Sequence, residues 1–435
     1  MSYFRDVDRA CSYFADWLSL RKEQGADFEK AKRAILKALS AETAKLEKMP
    51  VPKALAAREP TRLKQIRALR PRGPRRLPLD LSAANLRDKM LGAWLGRVSG
   101  CTLGIPCEGM TREGIRNAAL TFGMKYPLDN YWPIDPKPAA GPERLHYDIT
   151  PRRNFIRGNI RYIGSDDDLI YTELGLLILE DYGLDFTPVD VGKAWLKYLP
   201  MACTAEDVAL TNLKRGVKPP MTAAKDNPYS DWIGADIRSD PWGYAAPGWP
   251  EKAAEFAWRD AVVSHKAVGV HGEMFFSAVI AAAFVVDDPM LAVEIGLTEI
   301  PKRCRTAEAV RNALKWCDRD GDWDKTTARI LSKYEGMSMA HTLNNAELTV
   351  AGLYYGKKDF GRTIALTVMG GVDTDCTGAT AGSILGAILG AKRLPKKWTA
   401  GFGNRIESYI IGRRNWRTSD LVNRFVKVAG KVLAR

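Results

Sequence analysis

Apolar residues recur at the three-to-four-residue spacing of a helix face through most of the chain, and sustained alternation of period two is scarce. From Tyr3 to Lys48 the apolar positions Tyr13, Phe14, Trp17 and Leu18, then Ile35, Leu36 and Leu39, predict two helices joined near Gly25. Prolines between Pro50 and Pro78 predict a linker with one short helix, and the main domain is expected to begin near Leu79. Beyond it, helical periodicity marks 86–98, 169–182, 191–199, 253–263, 274–286, 290–298, 306–316, 326–334, 344–355, 360–369 and 377–389. The class is therefore all-α, with a basic helical extension and linker over 1–80 and one domain over 81–435. Residues 109–163 and 218–250 break the pattern with Pro, Gly, Trp and Tyr, and loops of that length usually carry function.

Composition changes this picture little. Apolar residues at 46% and charged residues at 27% are those of a globular protein, which excludes wholesale disorder. The longest apolar run, Met274 to Val286, is too short to span a bilayer, so no membrane role is expected. The opening residues lack the pattern of a secretory signal, and seven scattered cysteines lack zinc-site spacing; both point to reduced thiols and a cytoplasmic location. Residues 1–80 hold 19 Lys and Arg against 10 Asp and Glu, so +9 of the chain's +14 sits there. That excess suggests an anionic partner, and the run over residues 45–76 admits nucleic acid as one reading. Oligomeric state is not legible from this pattern.

Three stretches carry candidate chemistry. In Gly371-Val372-Asp373-Thr374-Asp375-Cys376-Thr377 two carboxylates stand at a helix start, and glycines at 378, 382, 386 and 390 then line one helix face. Each helical glycine costs about 1 kcal/mol relative to Ala, so something must need the close approach they allow. Read blandly, Asp373 and Asp375 are helix caps, but a cap needs only one Asp and leaves the glycine face unexplained. Ser165-Asp166-Asp167-Asp168 precedes another helix; adjacent aspartates repel unless solvated or sharing a cation, and capping is again the duller reading. Gly92, Gly96, Gly100 and Gly104 lead to a single carboxylate, Glu108, which alone would pass for a surface residue. Oxygen ligands without imidazole or thiolate pairs point to Mg²⁺ or Mn²⁺.

Together these stretches resemble the ADP-ribosylglycohydrolase family, which includes the dinitrogenase-reductase-activating glycohydrolases and the ADP-ribosyl-acceptor hydrolases. Gly100, Gly104 and Glu108 match its opening motif, Ser165 to Asp168 its Thr-Asp-Asp-Thr, and Asp373 to Cys376 its Gly-Gly-Asp-Thr-Asp-Thr. The likeness covers roughly residues 86–394 and implies an orthogonal helical bundle. It also implies two Mg²⁺ ions, with Mn²⁺ as a substitute, held by Ser165, Asp166, Asp167, Asp373, Asp375 and Cys376 or Thr377. Asp167, Asp375 and Glu108 become the catalytic candidates; Gly104, Gly371, His265 and Asn344 become candidates for binding ADP-ribose or an ADP-ribosylated substrate. Cys101 replaces the usual Asp, Ser165 and Asp168 replace threonines, Val372 is inserted, and Cys376 stands where a threonine is usual, as in larger bacterial members. Another N-glycoside as substrate, or a catalytically silent binding protein of this fold, are the alternatives.

Overall fold

Two helices with glycine at every fourth position form the centre of the molecule. The computed structural model describes residues 3–79, 82–134 and 152–435. The helices Ala83–Gly104 and Thr374–Leu389 run antiparallel, and Gly92, Gly96 and Gly100 lie against Gly386, Gly382 and Gly378. A methyl added at Gly378 would stand 2.7 Å from the Gly100 carbonyl oxygen, and one at Gly100 would clash with the Gly378 carbonyl. Backbone therefore meets backbone, a separation at which dispersion and Cα–H···O contacts offset the poor helix propensity of glycine.

The other helices wrap this pair. Ala267–Ala283 is buried along almost its whole length, and Phe360–Val368 and Thr342–Gly356 pack on the second glycine helix. The C-terminal helix Thr418–Leu433 packs on the first one and also on the short helix Asp240–Ala245, where Phe425 meets Tyr244 edge-on at 5.4 Å. Each helix predicted in the main domain is present, usually with an added first turn: the 86–98 and 274–286 segments belong to Ala83–Gly104 and Ala267–Ala283. Helices Arg112–Thr121, Thr204–Lys214 and Thr418–Leu433 were not anticipated. The first corrects the long loop expected from 109; the remainder of that loop over 135–151 lies outside the described residues. In 218–250 the aromatics anchor the chain: Trp242 stacks on Phe186 at 5.1 Å, and the Tyr244 hydroxyl meets the Ser383 hydroxyl at 2.8 Å. Among the described residues the only strands form a short hairpin, Arg405–Glu407 against Asn415–Arg417, with Ile406 opposite Trp416.

At the N-terminus, helices Arg5–Glu23 and Glu29–Glu47 turn at Gly25, and neither contains a buried residue. The next segment, with two short helices rather than one, is a strap across the body. Ile66 is fully buried, Arg58 pairs with Glu308 at 3.0 Å and Arg67 with Glu255 at 3.0 Å, and Arg70 and Arg75 both reach the buried Glu299. Arg76 lies over Trp249 at 4.2 Å. These five cations of the basic run are engaged within the chain, and nothing among the described residues supports the nucleic-acid reading of residues 45–76. No described helix is long and apolar enough to cross a membrane.

The glycine contact makes a paired prediction. Gly100→Ala should destabilise by about 3 kcal/mol through overpacking, in spite of alanine's better propensity. Gly430→Ala, on an exposed helix position with nothing within 4 Å of an added methyl, should stabilise by about 0.5–1 kcal/mol. Denaturant unfolding of the two variants checks both signs.

Candidate metal centre

The antiparallel register of the glycine helices sets the end of one against the start of the other. The Thr374 hydroxyl donates to the Gly104 carbonyl at 2.8 Å, and the turn Ile105–Cys107 then ends the first helix at Pro106 and delivers Glu108. Gly109 N–H bonds the Val372 carbonyl at 2.9 Å, and Val372 N–H bonds the Met110 carbonyl at 3.3 Å. Val372 is held at φ +63°, a conformation that costs a β-branched residue on the order of 1–3 kcal/mol, and Gly371 beside it is at φ +78°. This exchange fixes Glu108 beside Asp373 and Asp375, with ligand oxygens of all three within 4.8 Å of one another.

The second acidic cluster reaches the same place through Arg97. This fully buried guanidinium on the first glycine helix donates to the Asp168 carbonyl at 2.7 Å, the Asp168 carboxylate at 3.3 Å, Asp240 at 2.6 Å and the Ile237 carbonyl at 2.7 Å. Asp166 caps the helix Asp167–Tyr182 by accepting from Asp168 N–H at 3.2 Å. The Cys376 thiol donates to Asp168 at 3.2 Å, and the Cys101 thiol approaches Asp166 at 3.7 Å. Ligand atoms of Asp168, Asp375 and Cys376 lie within 4.8 Å of one another, as do those of Asp166, Asp167 and Asp168. The clusters therefore form one continuous acidic surface. Oxygen-rich and short of cations, it fits a hard divalent ion.

The sequence profile of the ADP-ribosylglycohydrolase family matches residues 82–431. The chain belongs to the ADP-ribosylglycohydrolase family. A solved structure titled "ADP-ribosylglycohydrolase-related protein complex" is similar to it with a TM-score of 0.51 and 19% identity, over 80% of this chain and 99% of that one. Among curated proteins no relative matches. Membership makes the chain a glycosidic-bond hydrolase, and the family generally uses divalent metals.

Other candidate residues of this family member lie at or beyond the edge of the acidic surface. Thr377 bonds back to the Asp373 carbonyl at 2.9 Å, while the Ser165 hydroxyl is enclosed without a hydrogen-bond partner. Gly104 is pressed against the Thr374 backbone and Gly371 against residues 110–112, so both serve close chain approach. Asn344 donates to the Ser338 carbonyl at 3.0 Å. His265 meets the Ser264 hydroxyl at 2.8 Å in a separate buried network, in which Arg238 binds Asp260, Glu206 and Glu273. Burial and Arg238 hold this imidazole well below its ordinary pKa, hence neutral.

Two further residues organise the site. Asn345 accepts from Asp373 N–H at 3.4 Å and donates to the carbonyls of Met339 at 2.7 Å and His341 at 2.9 Å, tying the aspartate loop to its neighbour. Arg97 had a signal, a lone charge in a stripe of glycine and apolar residues. Asn345 is legible in the sequence only with Asn344, as a pair after His341 that lines the cleft or caps a helix; its partners are backbone groups brought up by the fold.

Burial dominates the electrostatics. It raises Asp373 to about 7, opposed by the Cys376 hydrogen bond and reinforced by the Glu108 charge. Asp375 is pushed well above its ordinary value by burial, then by Glu108, Asp373 and Asp168. Burial and neighbouring carboxylates also push the Cys376 thiol well above its ordinary value, and its Sγ lies 3.2 Å from Asp168 as a donor. Burial raises Glu206 to about 7 despite Arg238.

Between 3.8 and about 7 the folded chain thus holds a proton on Asp373 that the unfolded chain has released, so stability falls as pH rises through that window. The buried histidines act oppositely: His271 and His341 are lowered to about 4, and their contribution rises with pH until the unfolded imidazole has titrated near 6.5. Above that value only the carboxylate effect changes. Scanning calorimetry in chelator should therefore show Tm falling from about pH 6.5 to 7.5, with a shallower fall in Asp373→Asn.

Proposed function

We propose that the chain hydrolyses the bond between a ribose anomeric carbon and its leaving group, most specifically releasing ADP-ribose from a modified acceptor, at a dinuclear Mg²⁺ centre. The observation that carries this reading is the meeting of Glu108, Asp373 and Asp375 with Asp166–Asp168, from helix ends about two hundred residues apart in sequence. Asp166, Asp167, Asp373 and Asp375 would hold the ions, with the Ser165 hydroxyl at the edge. Bound there, divalent cations would neutralise the carboxylates, engage the ribose hydroxyls and acidify water.

The chain's own part is positioning and proton transfer. Cleavage at an anomeric carbon passes through an oxocarbenium-like state, in which the bond to the acceptor breaks with its electron pair leaving. Water oxygen then bonds to that carbon and its proton passes to a carboxylate oxygen. Glu108 suits this proton transfer, because it follows the helix in a half-exposed turn beside Asp373 and Asp375. The buried thiols of Cys376 and Cys101 donate towards Asp168 and Asp166, orienting carboxylates. Val372, strained in its turn, keeps Asp373 facing Glu108.

Millimolar Mg²⁺ or Mn²⁺ should raise Tm, by the equivalent of about 2.7 kcal/mol at a hundredfold excess over Kd. Asp375→Asn should abolish both that stabilisation and ribosyl hydrolysis. Glu108→Gln should keep most of the stabilisation while turnover falls about 10²–10⁴-fold. Calorimetry showing no divalent binding, or normal hydrolysis by Asp375→Asn, rejects the two-metal reading in favour of a silent protein or different chemistry.

A further inference from the structure

The first two helices form an arm held to the body at its ends. The Tyr3 ring is pressed against Gly336, and the Glu47 carboxylate accepts from Asp226 N–H at 2.9 Å. From there each helix runs 19 residues, about 28 Å, to or from the turn at Gly25. Neither helix carries a buried residue or joins the apolar core of the body. The two helices cover each other near the turn, where Phe14, Leu18, Phe28 and Ile35 are half-buried. Towards the base the same faces are uncovered: Val7 lies on the face of Phe14, Leu39 and Leu46 lie on the face of Ile35, and all three are exposed. A second stripe, Tyr13, Trp17 and Leu20, recurs at helical spacing beside that seam and is exposed as well.

These six side chains are between 40% and 64% exposed and leave on the order of 600 Å² of mostly apolar surface in water. With the polar residues beside them, an arm offers the roughly 800 Å² per partner of a stable protein interface. Two helices of this length are marginal in water by themselves, because most helical stability comes from packing an apolar face. Charge selects what covers that face. Residues 5–48 hold ten Lys and Arg against eight Asp and Glu, so the arm is nearly balanced and exerts little pull on an anionic lipid or nucleic acid; the basic excess lies in the strap. Within the arm the charge is graded. The half nearest the turn, 15–37, has six cations and four acids, whereas the half nearest the body, 5–14 with 38–47, has three cations and four acids. Positive at its tip and negative at its base, the arm is complementary to an inverted copy of itself.

We propose that the arm is a self-association surface: two copies of the chain pair their arms antiparallel about a two-fold axis, forming a four-helix bundle in which each tip covers the other's open base. The closed, positive tip of one arm supplies the apolar cover that Val7, Leu39 and Leu46 lack in the other. Tyr13 and Trp17, aromatic residues of the kind that anchor interfaces, enter the bundle beside them. A parallel pairing would set tip on tip and base on base, like charge against like, and leave both open bases together. The inference is independent of the proposed hydrolysis, since the arm supplies no residue to the acidic centre.

Sedimentation velocity on the full chain, from about 1 to 100 μM, tests the pairing. Wild type should reach twice the chain mass, with a Kd on the order of micromolar. Trp17→Glu and Leu39→Glu should each weaken association about a hundredfold. Both should keep the wild-type Tm in dilute solution, because neither side chain packs on the body. Lys30→Glu with Lys37→Glu at the tip should weaken association about tenfold, as should Asp8→Lys with Glu42→Lys at the base. All four reversals in one chain should restore it, since tip and base then carry opposite charge again. A chain that stays monomeric at the highest concentration, a dimer indifferent to Trp17→Glu and Leu39→Glu, or four reversals that do not restore association would each overturn the proposal. A monomer that binds phosphatidylserine vesicles and loses them in Trp17→Glu would overturn it too, in favour of a lipid surface as the arm's partner.

Discussion

Contact between the backbones of two glycine helices is the constraint on which the rest of this molecule depends. The chain accepts poor helix propensity along two central helices to let them touch, and the contact permits no sliding: each glycine faces a glycine or the Thr374 backbone. Antiparallel register then determines the chemistry. The helix that ends at Gly104 must end where Thr374 begins, so Glu108 and the Asp373–Asp375 pair meet as a consequence of packing one hydrocarbon-poor surface on another.

The acidic centre is costly to build, and the fold meets that cost with few devices. Arg97 is its principal buried cation, and it also binds two carbonyls and Asp240, so its charge and geometry are both committed. Two thiols, at positions where the family's usual residues are Asp and Thr, add weak donors without adding charge. Burial then protonates part of the cluster. Such an arrangement is stable empty only with protons in place, which couples cation binding to proton release. A second network around Arg238 lies behind it, with Glu206 close enough to feel the charge of Asp167.

Outside the family-matched region, the strap is held by charge as well as by apolar burial. Glu299, fully buried, receives two arginines from it, and Arg305 is gripped by Glu59 at 2.8 Å. A buried carboxylate of this kind is tolerable only with its partners present, so the strap and the body are electrostatically interdependent. The two helices before it have no buried residue and make no comparable demand.

Local physics made much of this readable in the chain itself. Helical periodicity located the principal helices because burial of one face leaves a 3.6-residue trace, and the four-residue glycine spacing announced a close contact without naming its partner. The acidic runs at 166–168 and 373–375 were conspicuous because like charges crowd together only for a reason. Other features had no such trace. The basic run looked free because its carboxylate partners, Glu251, Glu255, Glu299 and Glu308, lie about two hundred residues away in sequence. His265 looked like part of the site, yet it lies in the Arg238 network, and Asn345 was indistinguishable from Asn344 until backbone carbonyls surrounded it. The chain alone determined which residues are acidic, helical or glycine. Only tertiary structure decided which acids share a space and which cations are already paired, because Coulomb interactions depend on distance in space and not along the chain.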